Sequence, residues 1–174
     1  DKNAQYIRVS LITGLAMAIV IVSILMAILF QNWRLVIISL VPNVFPLLIA
    51  GALLGYFNIE LEAGVSVIFA VIFGIAVDDT IHFLSKFKLA RNKGLSVDEA
   101  LQITFVETGK AICLTTVILF FGFLVLLFSI HPPSVVVGLL ISVTLVSALV
   151  GDLLLIPILI RWLYPNDEKD VLEK

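Results

Sequence analysis

Five apolar runs, each about 20 residues or longer, leave few folds open to this chain. They cover residues 9–30, 35–57, 61–84, 111–130 and 134–163. A helix of that length rises about 30 Å, the thickness of the hydrocarbon core of a bilayer. A spanning β-barrel is built from short strands of alternating polarity, so unbroken apolarity argues against one. The expected fold is therefore all-α: a polytopic transmembrane bundle of five helices. Composition agrees, because 61% of residues are hydrophobic and 14% charged, where a soluble domain has about 25% charged. Mean hydropathy is +1.17.

Lys and Arg set the orientation. Arg34, Lys86, Lys88, Arg91, Lys93, Lys110 and Arg161 flank one side, against Lys2 and Arg8 on the other. Positive flanks stay in the cytoplasm, so this piece is expected in the cytoplasmic (inner) membrane, with its amino terminus extracytoplasmic and its carboxyl tail cytoplasmic. The turn with Glu60 and Glu62 and the turn with His131 then face outward. The substantial loop joins the third and fourth spans. In it Gly94 reads as a helix stop, and Ser96 with Glu99 has the spacing of a capping box. This box opens an amphipathic connector, about 96–109, expected to lie along the inner membrane surface.

Several classes drop out. The net charge of −2, carried at segment ends, does not suit a nucleic-acid partner. The single cysteine, Cys113, lies in an apolar span and supports no disulfide framework. No nucleophile elbow, phosphate loop or zinc signature is present, so no enzyme activity, cofactor or metal site is expected. The chain starts at Asp1 with no targeting segment before the first apolar run, which suggests a piece of a longer polypeptide.

The stretch GIAVDDTIHF, residues 74–83, puts Asp78 and Asp79 side by side in what otherwise reads as membrane helix. A charge at membrane depth costs several kcal/mol and marks a functional position by default. At 1.5 Å per residue, counted from the flanking Lys or Arg, Asp78 lies about 12 Å inside. Thr115 and Thr116 lie about 8 to 9 Å inside, and Asp152 and Asn43 about 13 Å. Four helices thus place polar residues in one layer. Neighbouring helical residues point about 100° apart, so Asp78 and Asp79 address different neighbours. Thr115 and Thr116 can donate hydrogen bonds to a carboxylate, and two close carboxylates favour a shared proton. His82 shares the face of the acids at i+4 from Asp78 and could pass protons toward the cytoplasm. Simpler readings stand beside these. Thr bonds its own helix backbone, Asp152 can satisfy backbone freed by Pro157, and Asn43 can do the same between Pro42 and Pro46. Gly74, Ala76, Gly109, Ala111 and Gly122 suggest close helix packing around the acid-bearing helix.

The segments AGVSVIFAVIFGIAVDDTIHFLSKF and ETGKAICLTTVILFFGFLVLLFS, joined by a basic loop, resemble the membrane half of the resistance-nodulation-division (RND) superfamily. The likeness covers nearly the whole chain and is closest to the branch of MMPL proteins, hopanoid exporters and sterol-sensing-domain proteins. The resemblance implies a half of six helices with a porter domain inserted after the first, so that the five spans here correspond to helices two to six. It also implies a proton-relay role for Asp78 and Asp79, with Thr115 or Thr116 as the partner threonine. Thr80 stands where the mycobacterial-type branch has a tyrosine after its aspartate. The function implied is export of lipids or other hydrophobic substrates driven by the proton-motive force, with sodium coupling as a variant. The alternative is a non-transporting, sterol-sensing lipid-binding module. Implied partners are membrane lipids, a hydrophobic substrate, and the porter domain and second six-helix half of the same polypeptide, or a second copy.

The topology is open to a direct test. Cysteines placed at Asn58 and Asn92 of the full-length protein are expected to react with impermeant thiol reagents from opposite sides of the membrane. Labelling of both from one side would overturn the helix count.

Overall fold

Residues 2–59 and 63–164 are described by a computed structural model. The start of the third span at Leu61, the acids Glu60 and Glu62, and the tail from residue 165 lie outside the described residues. The described residues form seven helices: α1 (Lys2–Phe30), α2 (Trp33–Tyr56), α3 (Ala63–Asn92), α4 (Val97–Thr104), α5 (Lys110–Leu124), α6 (Pro132–Val150) and α7 (Ile156–Leu163). There are no strands among the described residues. Among the described residues, five helical stretches are long and apolar enough to cross a membrane, as the apolar runs require.

Two of the five spans are compound. A wide π-type turn, Phe105–Gly109, joins α4 to α5, and a second, Gly151–Leu155, joins α6 to α7. The second has a local cause. Pro157 has no N–H and its ring would meet the carbonyl four residues back, and widening the preceding turn relieves both. The first changes the expectation for the connector. Backbone angles stay helical through Thr104 and Lys110, so 97–128 is a single helical stretch. The connector therefore extends the fourth span, and its buried Val97, Ala100 and Leu101 pack in the core shared with α3. Its entry is as the sequence predicts. Ser96 caps the N-terminus and Glu99 returns the bond to the Ser96 backbone, a complete capping box. Gly94 makes the preceding turn at a φ of +84°, a conformation only glycine adopts without strain.

The helices centre on α2, α3 and α6, which pack against one another. Helix α1 lies outside them against α2 and α3, and α5 packs along α6. Two hydrophobic clusters form the core. One, at the basic end, joins Phe30, Ile38, Phe83, Phe87 and Ile160; the other joins Leu47, Ala50, Phe69, Phe73 and Leu145.

At the basic end, charged side chains tie the helix ends together. Lys88 donates to the carbonyls of Leu29 and Phe30 at 3.2 and 2.9 Å, capping the end of α1. Arg34 donates to the Leu163 carbonyl at 3.1 Å, and Arg161 pairs with Asp98 at 2.7 Å. Lys and Arg suit these positions because the last carbonyls of a helix have no partner within it.

The tightest helix approach lies at a glycine outside the small-residue pattern, whose Gly109 is nonetheless packed against Leu153. A side chain at Gly74 or Gly122 would meet nothing within 4 Å, whereas a Cβ at Gly138 would sit 2.8 Å from the Phe123 carbonyl oxygen. Gly138 on α6 is thus the residue that lets α5 and its final turn approach, because a backbone oxygen cannot move aside as a flexible side chain does. Gly138→Val is expected to destabilise the full-length protein by about 1–3 kcal/mol through overpacking. Gly122→Ala should stay near the wild type, and thermal unfolding in detergent distinguishes the two.

Candidate functional site

Three consecutive residues of α3 sweep from the outside of the bundle to its core. Asp78 is exposed, Asp79 is partly buried and Thr80 is fully buried. The 100° step between helical neighbours produces this sweep, so one turn of α3 serves two polar environments.

The outer environment is a cleft of about 600 Å³ between α3 and α5. It is lined by Asp78, Asp79, His82, Glu107 and Thr115. His82 Nε2 lies 3.5 Å from an Asp78 carboxylate oxygen, with both side chains about 70% exposed (68% and 72%). Glu107, at the basic end of the cleft, pairs with Lys86. Thr115 lines the cleft while its hydroxyl bonds the carbonyls of Ala111 and Ile112 at 3.2 and 3.0 Å. Thr116 is buried and does not line the cleft. The structure therefore brings Asp78, Asp79, His82 and Thr115 together and leaves Thr116 on another face.

The inner environment is a polar contact among three helices. The Thr80 hydroxyl oxygen lies 2.6 Å from an Asp152 carboxylate oxygen and 3.0 Å from the Asn43 side-chain oxygen. Relative exposures are 0% for Asn43 and Thr80 and 1% for Asp152. A threonine hydroxyl has one proton, and the shorter contact identifies Asp152 as its acceptor. The contact with Asn43 is satisfied when Asn43 turns its amide NH2 toward Thr80, an orientation that heavy-atom positions do not distinguish from its flip. Asn43 and Asp152 thus share a layer, as their sequence depths require. Asp152 meets a side chain of α3 from the π-type turn, whose Gly151 lies against the Pro42 carbonyl of α2. Among the described residues the second Asp152 oxygen, the Asn43 amide atom turned away from Thr80 and the buried Ser142 hydroxyl have no hydrogen-bond partner. Other intramembrane hydroxyls, those of Ser23, Ser39 and Thr144, bond carbonyls of their own helices.

Asp79 stands between the two environments. It is close enough to Asp78 and His82 on one side, and to Asp152 on the other, for their charges to interact. Thr80 is the residue that sequence reading passed over. Its depth, six residues before Lys86, puts it in the polar layer, but depth alone does not say that it faces Asn43 and Asp152.

The fold and this layered polar site define a polytopic helix bundle with carboxylates at the level of its spans. Residues 2–163 match the model of the MMPL family, and the chain belongs to that family. It is also similar to a membrane protein of Methanocaldococcus jannaschii, 30% identical over 124 residues. That match covers 71% of this chain and 32% of the relative, so the chain spans about a third of the relative's length. No solved structure matches it.

Removing the Thr80 hydroxyl leaves Asn43 and Asp152 without their shared partner. Thr80→Val is expected to cost about 1–3 kcal/mol, the usual penalty for orphaned buried polar groups, with Thr80→Ser recovering most of it. Thermal unfolding of the full-length protein in detergent reads the difference.

Proposed function

We propose that this chain is the ion-coupling half of a transporter that uses the proton-motive force to export lipids or other hydrophobic molecules. The observation that carries the reading is the cleft in which Asp78, Asp79, His82 and Thr115 converge at membrane depth. Carboxylates placed there at a cost of several kcal/mol serve a purpose that packing does not require, and binding and releasing a proton is the chemistry that acid and imidazole side chains share. The basic end then faces the cytoplasm, following the positive-inside rule, and His82 lies on the cytoplasmic side of Asp78.

Asp78 points out of this bundle, and a carboxylate facing lipid at that depth is unfavourable. The outer face of α3 and α5 is accordingly assigned to contact with further protein, either the remainder of the same polypeptide or a second copy. A hydrophobic cargo is supported by a second feature. Between α1 and α3 runs an apolar groove of about 660 Å³, lined by Leu11, Leu15, Ala18, Val22, Phe69 and Phe73 among others. Its walls suit a hydrocarbon chain or a fused-ring lipid. The same groove favours the alternative, a sterol-sensing module that binds lipid without transporting it. Such a module has no evident use for the acids.

Asp→Asn keeps the shape and removes the exchangeable proton. Asp78→Asn and Asp79→Asn in the full-length protein are expected to reduce export to background while expression persists. Thr115→Ala should give a smaller loss. Export should stop when an uncoupler dissipates the proton gradient and survive replacement of sodium. A double Asp78→Asn, Asp79→Asn protein that exports at the wild-type rate would refute the reading, and strict sodium dependence with uncoupler resistance would move the coupling to sodium.

A further inference from the structure

We propose that Asp152, held by Thr80 and Asn43, is a second proton-holding site in the bundle core, exchanging its proton with the cleft through Asp79. The proposal rests on the proton-coupled reading and extends it from the cleft to the interior.

The site is built from three helical segments and is fully enclosed. Asn43 from α2, Thr80 from α3 and Asp152 from the π-type turn after α6 are each at least 99% buried by relative exposure (0%, 0% and 1%). Thr80 occupies one Asp152 oxygen at 2.6 Å, and the other has no partner. That free oxygen is where a proton binds. Whichever way the Asn43 amide is turned, one of its polar atoms faces Thr80 and the other has no hydrogen-bond partner among the described residues, so the enclosure holds spare hydrogen-bonding capacity on both sides of Thr80. A 2.6 Å separation between the Thr80 and Asp152 oxygens is that of a hydrogen bond. It has room for a proton, whereas a metal ion held between both oxygens would drive them apart.

Charged groups around Asp152 are few. Helix α3 offers Asp79, which interacts with it electrostatically. The only charged residue of α2 is Arg34, at its far end on the Leu163 carbonyl. Helix α6 has none, and the Arg161 of α7 is paired with Asp98. No cation among these neutralises Asp152, and an uncompensated carboxylate in an apolar interior is costly. A proton taken from Asp79 removes that charge: the Asp79 carboxyl loses the proton and becomes a carboxylate, while Asp152 gains it on the free oxygen and becomes a neutral acid. The total charge of the pair is unchanged, and the negative charge moves from the core to the cleft.

This transfer acts on packing. A hydrogen bond to a carboxylate is about twice as strong as one to a neutral acid. Loading Asp152 therefore weakens the link from α3 to the α6–α7 span, at the point where α2, α3 and that span meet. Proton position and helix contact are coupled through the Thr80 hydroxyl.

Infrared difference spectra of the full-length protein in lipid nanodiscs, recorded across a pH titration, test this directly. The expected result is a titrating carboxylic C=O band that Asp152→Asn deletes, separate from the bands deleted by Asp78→Asn or Asp79→Asn. Thr80→Val should move the Asp152 band to higher frequency and shift the pH profile of export, and Thr80→Ser should restore both. If Asp152→Asn keeps every wild-type carboxyl band while Asp79→Asn loses one, the interior site falls and the cleft reading stands. If no carboxyl band titrates in the wild type and export resists uncoupler, the proton reading falls and the interior site with it. Should Asp152→Asn fail to fold, the Thr80→Val spectrum decides, and an unshifted band overturns the proposal.

Discussion

The hydrogen bond from Thr80 to Asp152 is the contact around which the bundle is arranged. In water such a bond adds little, because each partner exchanges one good interaction for another. Inside a membrane the alternative for a carboxylate is hydrocarbon, and the balance shifts toward whichever packing supplies a donor. The three helices that meet here also contribute residues to both hydrophobic clusters. The clusters sit above and below the polar contact, so apolar packing supplies area and the polar contact supplies register. One residue of slip along α3 would turn Thr80 away and bury Asp79 or Ile81 in its place.

The π-type turns show how a helix adjusts to such a demand. A regular α-helix through Gly151–Leu155 would collide with the Pro157 ring and would also rotate Asp152 relative to α2 and α3. Widening the turn solves the first problem locally and serves the second at a distance. Gly151 lies beside the Pro42 carbonyl at the same level, and the helix that carries Pro157 packs against the proline-containing α2.

Membership of the MMPL family gives this geometry its context. A bundle whose acids face both inward and outward has the means to link a charge in its core to one at its surface. Asp78 belongs to the outward set, Asp152 to the inward one, and Asp79 lies between. Their consecutive or near-level placement makes α3 the structural link between cleft and core.

The sequence by itself determined the class of fold, the number of helices long and apolar enough to cross a membrane, and the level shared by Asn43 and Asp152. Hydrophobic run length and helical rise are local quantities, and the bilayer supplies a fixed ruler for both. The capping box at Ser96 and the turn at Gly94 were legible for the same reason, since each depends on residues within one turn of itself. Rotation about each helix axis was not legible, because nearly every face of these helices is apolar and no stripe marks the inward side. That is why the split between Asp78 outside and Thr80 inside, and the separation of Thr115 from Thr116, emerged only with the packed helices. The connector's union with the fourth span depended on a wide turn that no residue in FVETG announces. Likewise the tight approach at Gly138, rather than Gly74, was a property of two backbones brought together. Tertiary packing decided these points because each is a relation between helices, and a relation of that kind has no signature in either helix alone.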